Sequence, residues 1–157
     1  MNFRLASLDD LELLIHLRKQ LLVEEGQIVS SNIEEELKNF FENQISSNQY
    51  VQWLVENDDK IIATGAIQFI SFPPSYFNST GIRGYISNMY TNSENRNKGI
   101  AKQLLNQILI EAQRRKVHHL FLVSSEMGKP LYKKMGFKEN DIYMEYFIPN
   151  AIVDNAR

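Results

Sequence analysis

Arg96-Asn97-Lys98-Gly99-Ile100-Ala101 lies between a strand-like run and an amphipathic helix, and the helix start it makes carries no carboxylate. The other two marked helix starts are acidic: Ser7 is followed by Asp9, Asp10 and Glu12, and Ser31 by Glu34, Glu35 and Glu36. Those carboxylates suit the partial positive charge of a helix N-terminus. Around Gly99, by contrast, the N-terminal N–H groups are left unpaired, Arg96 and Lys98 add positive charge, and Gly99 and Ala101 remove bulk. A start of this kind can hold an external anion such as a phosphate, so a phosphorylated ligand is expected. It has one glycine, and neither G-x-x-x-x-G-K-[ST] nor G-x-G-x-x-G fits it, which disfavours the common nucleotide and dinucleotide loops.

The flanking elements set this loop in place. Tyr85 to Thr91 reads as a strand, and Gly99 to Lys116 as a helix with Ala101, Leu104, Leu105, Ile108, Leu109 and Ala112 on its apolar face. Arg114, Arg115 and Lys116 close its last turn, where cations suit the dipole. Upstream, Asn2 to Leu5 is a strand, Leu8 to about Glu24 a helix with Leu11, Leu14, Ile15, Leu17, Leu21 and Leu22 inward, and Ile33 to about Ile45 another helix. Tyr50 to Glu56 and Lys60 to Ile70 form a hairpin around Asn57-Asp58-Asp59, and Ser71 to Gly84 is a long connection. Downstream come a strand at Leu120 to Val123, a short helix at Leu131 and a final strand at Tyr143 to Ile148. The order β-α-α-β-β-β-α-β-α-β implies an α/β sheet in which the helix after Thr91 crosses between two parallel strands. Ligands of such sheets sit at the carboxyl ends of the strands.

Bulk properties exclude several classes. The 157 residues have the length of one domain, expected over 1–149 with 150–157 a frayed tail, and no repeat or low-complexity tract. A net charge of -2 gives no basic footprint for nucleic acid, and no apolar run is long enough for a membrane span. The acidic amino-terminal segment is no secretory signal, and a cytoplasmic location is the simplest reading. With no cysteine there is no disulfide, thiolate metal site or cysteine nucleophile, and no metal is expected. His16 within the first helix and His118-His119 at a strand start are expected to be structural.

Arg96-x-x-Gly99-x-Ala101 resembles the Q/R-x-x-G-x-G/A pyrophosphate loop of the GNAT superfamily, the acyl-coenzyme A-dependent N-acyltransferases. Leu131-Tyr132-Lys133-Lys134-Met135-Gly136-Phe137 resembles that family's L-Y-x-x-x-G-F segment, and Phe3 to Leu11 its opening strand and helix, so the resemblance spans nearly the whole chain. It implies a three-layer α/β fold: a central, mixed, mostly antiparallel twisted sheet flanked by helices, with strands four and five parallel and splayed. It implies acetyl-CoA as cosubstrate, its pantetheine amides pairing with backbone at Met89, Tyr90 and Thr91. The pyrophosphate would lie on the loop of Arg96, Asn97, Lys98, Gly99, Ile100, Ala101 and Lys102. Ser125 takes the place where many members have a cofactor-touching asparagine.

The chemistry implied is attack of a neutral amine on a thioester: the amine loses a proton, the oxyanion needs a donor, and the departing thiolate needs a proton. Without cysteine, direct transfer in a ternary complex is favoured over an acyl-enzyme. Tyr132 falls on the family tyrosine that commonly serves as the general acid. Tyr85 stands where several members carry a basic glutamate, which leaves the base among Glu24, Glu25, Glu126, Glu145 and water. Arg83, Phe72, Tyr76 and Phe77 either shape the acceptor pocket or form a subunit contact. The resemblance thus implies an N-acetyltransferase acting on a primary amine of a small molecule or a protein. The alternatives are a non-catalytic acyl-CoA sensor and an enzyme using a longer acyl group. Family habit and the apolar Tyr143 to Ile148 run point to a homodimer.

Overall fold

Asp58 and Asp59, both in the left-handed region (φ 50° and 59°), turn the chain between β2 (Tyr50–Asn57) and β3 (Lys60–Ser71), which pair antiparallel. The structure, a computed structural model, describes residues 1–141 and 143–148. Around this hairpin β1 (Asn2–Leu5) adds antiparallel to β2 and β4 (Ile82–Thr91) antiparallel to β3. The two-residue β5 (Leu120–Phe121) joins β4 in parallel, giving a mixed five-stranded sheet in the order β1-β2-β3-β4-β5.

Helices cover both faces. Ser7 and Asp10 form the reciprocal capping pair their spacing promises, over a 3-10 turn that leads into α1 (Leu11–Glu24). On one face Leu14, Ile15 and Leu17 of α1 and Phe41 of α2 (Glu34–Ser46) pack with Tyr50, Leu54 and Ala66. On the other, Leu104, Leu105 and Ile108 of α3 (Ile100–Arg114) pack with Trp53, Val55, Ile67 and Ile86. The alternating positions of β2 therefore feed two separate cores. The short α4 (Lys129–Lys134) follows β5, and its Leu131 and Tyr132 lean on the α3-side core. None of the helices among the described residues is long and apolar enough to cross a membrane.

Several boundaries differ from the sequence reading. Ser31 does not cap α2; the Asn32 side-chain oxygen accepts the Glu34 N–H at 3.1 Å. The connection before β4 is shorter than Ser71 to Gly84, because Ile82, Arg83 and Gly84 already pair with β3. The strand expected at Leu120 to Val123 stops at Phe121. Tyr143 to Ile148 forms no strand, and Tyr143 and Met144 are 75% and 91% exposed. A strand of two residues presents too short an edge to hold a sixth one. The expected tail at 150–157 lies outside the described residues.

Candidate functional site

The parallel pairing of β4 and β5 consists of Gly84 with Leu120 and Tyr85 with Phe121, while β4 runs on to Thr91. Where the strands part, a cleft of about 510 Å³ opens. Met89, Tyr90 and Thr91 form one wall, and Arg96, Asn97 and the first turn of α3 through Lys102 form its mouth. Ser125, Met127, Leu131 and Tyr132 form the opposite wall, and Leu21, Glu24 and Glu25 close it from α1. Lys98 is the one residue of the expected loop outside this lining; its Nζ donates to Asn95 Oδ1 at 3.1 Å.

A bulge aims the end of β4 into the cleft. Ala66 faces Ser87 and Thr64 faces Tyr90, so Gly65 stands opposite both Asn88 and Met89, and Asn88 takes φ 52°. Gly65 has no room for a side chain, since a Cβ would meet Met89 Sδ at 2.6 Å. Asn88 is held on both sides: its Nδ2 donates to Tyr50 Oη at 2.6 Å and its Oδ1 accepts from Arg18 at 2.9 Å. The chain continues from Tyr50 Oη to Gln52 Oε1 (2.8 Å) and from Gln52 Nε2 to Thr64 Oγ1 (2.7 Å), then ends on the Trp53 carbonyl (2.8 Å). Burial pushes the Tyr50 phenol far above its ordinary range, which keeps it a neutral donor. Sequence reading missed this network. The one cue was an asparagine, tolerant of positive φ, inside an apolar strand.

At the cleft mouth Gly99 caps α3 at φ 77°, Asn97 precedes it at φ 62°, and no side chain caps the helix. The first bond of the helix ladder runs from Gln103 N–H to the Gly99 carbonyl at 3.1 Å, so the N–H groups before it stay available. A Cβ on Gly99 would meet nothing within 4 Å, so the space ahead of the helix is open. Unpaired N–H groups, no acid in the first turn and an open approach fit a diphosphate. Arg96 lies alongside rather than in front: its Nε donates to the Thr91 carbonyl at 2.9 Å and its Nη2 to Glu24 Oε2 at 3.1 Å. Glu24 Oε1 also accepts from Tyr90 Oη at 2.9 Å and Gln20 Nε2 at 3.3 Å, which ties α1, β4 and the loop together. Burial, and then the neighbouring Glu24, raise the Tyr90 pKa.

Tyr132 stands at the far wall on α4, its ring edge-on to Phe137 at 5.8 Å. Burial, helped by the charge of Glu25, pushes its phenol up to about 12, so it is protonated at neutral pH. Ser125 Oγ accepts the Gly128 N–H at 3.1 Å. Of the four carboxylates considered for the base, Glu24 and Glu25 line the cleft, whereas Glu126 and Glu145 do not. The three histidines stand outside it as well. A second groove of about 450 Å³ between α1 and α2 is lined by Glu12, Glu34, Glu35 and Glu42 among others, and no anion-binding loop meets it.

Residues 48–139 match the family described as Acetyltransferase (GNAT) domain. No curated protein matches the chain. Among solved structures, a predicted acetyltransferase with acetyl-CoA from Clostridium acetobutylicum is 43% identical, with 93% of this chain and 95% of that one covered and a TM-score of 0.91. A GCN5-related N-acetyltransferase from Ralstonia eutropha JMP134 is 26% identical, with 93% and 97% covered and a TM-score of 0.84. Glucosamine-6-phosphate N-acetyltransferase from Arabidopsis thaliana, 22% identical with 94% and 99% covered, shares the fold at a TM-score of 0.70.

Proposed function

The chain belongs to the GNAT acetyltransferase family, and we propose that it transfers the acetyl group of acetyl-CoA to a primary amine of a small molecule or protein by direct attack in a ternary complex. One observation carries this reading: a single cleft brings together the uncapped start of α3, the end of β4 beyond its bulge, and the protonated phenol of Tyr132. Acetyl-CoA on the 43% identical relative supports the choice of cosubstrate.

In this reading the backbone N–H groups at the start of α3 take the pyrophosphate, with Lys102 adding charge. The backbone of Met89, Tyr90 and Thr91, turned inward by the bulge, pairs with the amides of the pantetheine arm. Glu24 or Glu25, directly or through a water, accepts the proton the amine gives up as the C–N bond forms. Tyr132 donates a hydrogen bond to the sulfur as the C–S bond breaks, and the proton released by the amine is passed on from the glutamate through water to the sulfur, so that coenzyme A leaves as the thiol. Residues 1–149 make up the acetyltransferase domain, and the protein works in the cytoplasm as a homodimer. The exposed Tyr143, Met144 and Tyr146 support the pairing, and a monomer mass by light scattering at micromolar concentration would reject it.

The test is ligand-dependent melting followed by turnover. Acetyl-CoA and free coenzyme A should raise the melting temperature in proportion to RT ln(1 + [L]/Kd), whereas NAD and ATP should not. A panel of primary amines should then give coenzyme A release with at least one class. No thermal shift and no heat with saturating acetyl-CoA would remove the reading.

A further inference from the structure

Arg83 is an arginine whose guanidinium has been left for something else. Its Nε is buried and has no hydrogen-bond partner among the described residues. Arg4, Arg18, Arg96, Arg114 and Arg115 all donate to side chains or carbonyls. Arg83 instead lies with its Cζ 4.5 Å above the centre of the Phe72 ring. Such a stack attracts the cation but takes none of its five N–H groups, and a buried N–H without a partner is costly enough to be rare.

The Nε lies beneath the surface of a residue that is only partly buried, so the groups at the tip of the guanidinium are the ones a ligand can meet, and the place of Arg83 on the sheet gives them a direction. A Cβ on Gly84 would strike Leu120 Cδ2 at 2.5 Å and Ile67 Cδ1 at 2.7 Å, and Ile86 belongs to the α3-side core, so Gly84 and Ile86 face α3. Arg83, Tyr85 and Ser87 therefore share the opposite face. On that face Tyr85 stacks on Phe121 (5.1 Å, 34°), and Phe121 meets Phe72 edge-on at 6.4 Å. The rings form a continuous apolar shelf from Arg83 to Tyr85. α2 reaches as far as Gln68, the register partner of Tyr85, through Gln44 at 3.2 Å. α1 reaches β4 at Asn88 and Tyr90. Between these contacts the row Arg83, Tyr85, Ser87 leads straight to the bulge and the cleft beyond it.

We propose that Arg83, backed by Phe72 and the Tyr85–Phe121 shelf, is an anion subsite for the acceptor: the amine that is acetylated belongs to an extended molecule carrying a carboxylate or phosphate group at its far end. The proposal rests on the acetyltransferase reading above for the place of the amine. Ser87 lies four residue steps along the strand from Arg83, a span of about 13 Å, and the cleft begins beyond it at Met89, so amine and anion stand well apart along an apolar or aromatic middle. That geometry excludes acceptors whose amine and carboxylate share one carbon.

The probes are ω-amino carboxylates and ω-amino phosphates of graded chain length, each paired with the uncharged alkylamine of equal length. Coenzyme A release is followed with each under saturating acetyl-CoA, and binding of each to the protein–coenzyme A complex is measured by calorimetry. Anionic members of one length class should bind more tightly than their neutral partners, and the carboxylate and phosphate series show which anion is preferred. Arg83→Met should raise Kd and KM for the anionic amines by about 10-fold to 150-fold, the range of a hydrogen bond to a charged group, with kcat nearly unchanged. Neutral amines and acetyl-CoA should bind the variant as before, and Arg83→Lys should recover part of the loss. Equal binding of charged and neutral amines to the unaltered chain, no binding of any anionic amine, or an equal loss for both classes in Arg83→Met overturns the subsite. The first two outcomes need no variant, so a folding failure of Arg83→Met does not protect the proposal. Arg83-dependent binding without coenzyme A release from any amine would keep the subsite and overturn the acetyltransferase reading. Release with neutral amines and no anion preference would do the reverse.

Discussion

Tyr132→Phe separates chemistry from packing because the structure gives the hydroxyl no structural duty. Burial and the charge of Glu25 set its pKa near 12, and no hydrogen bond from the described residues contributes. Phe keeps the edge contact with Phe137 at 5.8 Å and removes a partly desolvated oxygen, so stability should change by no more than about 0.5 kcal/mol. The rate effect follows from the proton balance. A phenol near 12 facing a thiol of ordinary pKa, about 8.5, would lose roughly 5 kcal/mol in a complete transfer at about 1.36 kcal/mol per unit. Tyr132 therefore acts by donating a hydrogen bond to charge building on sulfur rather than by leaving a phenolate behind. A hydrogen bond to a charged group contributes about 1.5 to 3 kcal/mol, which corresponds to a fall of roughly 10-fold to 150-fold in kcat. This is the lower part of the range for general acids. Single-turnover acetyl transfer under saturating acetyl-CoA reads the effect, with a melting curve and a cofactor titration for each protein. The raised pKa also predicts no alkaline loss of turnover from Tyr132 until the pH nears 12. Equal transfer rates for the two proteins, or a lower melting temperature with unchanged transfer per bound complex, would refute the reasoning.

Gly99→Glu should abolish acetyl-CoA binding in calorimetry: the open space at Gly99 admits the side chain, the positive φ costs about 1 to 2 kcal/mol, and the carboxylate lies where phosphate would approach; unchanged binding would move the pyrophosphate elsewhere. Asn88→Ala strips the partner from Arg18 and Tyr50 and puts a Cβ residue without a local hydrogen bond at φ 52°, so denaturant unfolding should show a loss of about 2 to 4 kcal/mol, and less than 1 would mean the network is idle. Hydrogen bonding from Arg4 holds the Asp10 carboxyl below its ordinary value, so its stabilisation is complete above the unfolded pKa of about 3.9 and is lost as pH falls through the lower folded value. Asp10→Asn should flatten that acid dependence in unfolding curves at pH 7 and pH 3, and an unchanged slope would assign it to other carboxylates.

What the sequence disclosed and what it concealed divide along the range of the interactions involved. The start of α3 was legible because its properties are local: a glycine for positive φ, no acid in the first turn, cations nearby. Ser7 with Asp10, and Asp58 with Asp59, were legible for the same reason. The bulge at Asn88 was not, because it exists as a count of residues on β4 against β3, and no window of one strand contains that count. Glu24 shows the same limit from the other side. At the end of α1 it reads as a carboxylate opposing the dipole, yet the fold sets it against Tyr90 and Arg96, whose positions are 66 and 72 residues away. Tyr143 to Ile148 has the composition of a strand, but a strand is a relation between two edges, and the two residues of β5 present too little of one. Arg83 joins these cases: in the sequence it reads as shaping either the acceptor pocket or a subunit contact, and what sets it apart is that the folded chain supplies a ring to lie on and, among the described residues, no acceptor for its Nε. A donor that folding leaves buried and unmatched is decided by long-range packing, which no stretch of a single strand contains.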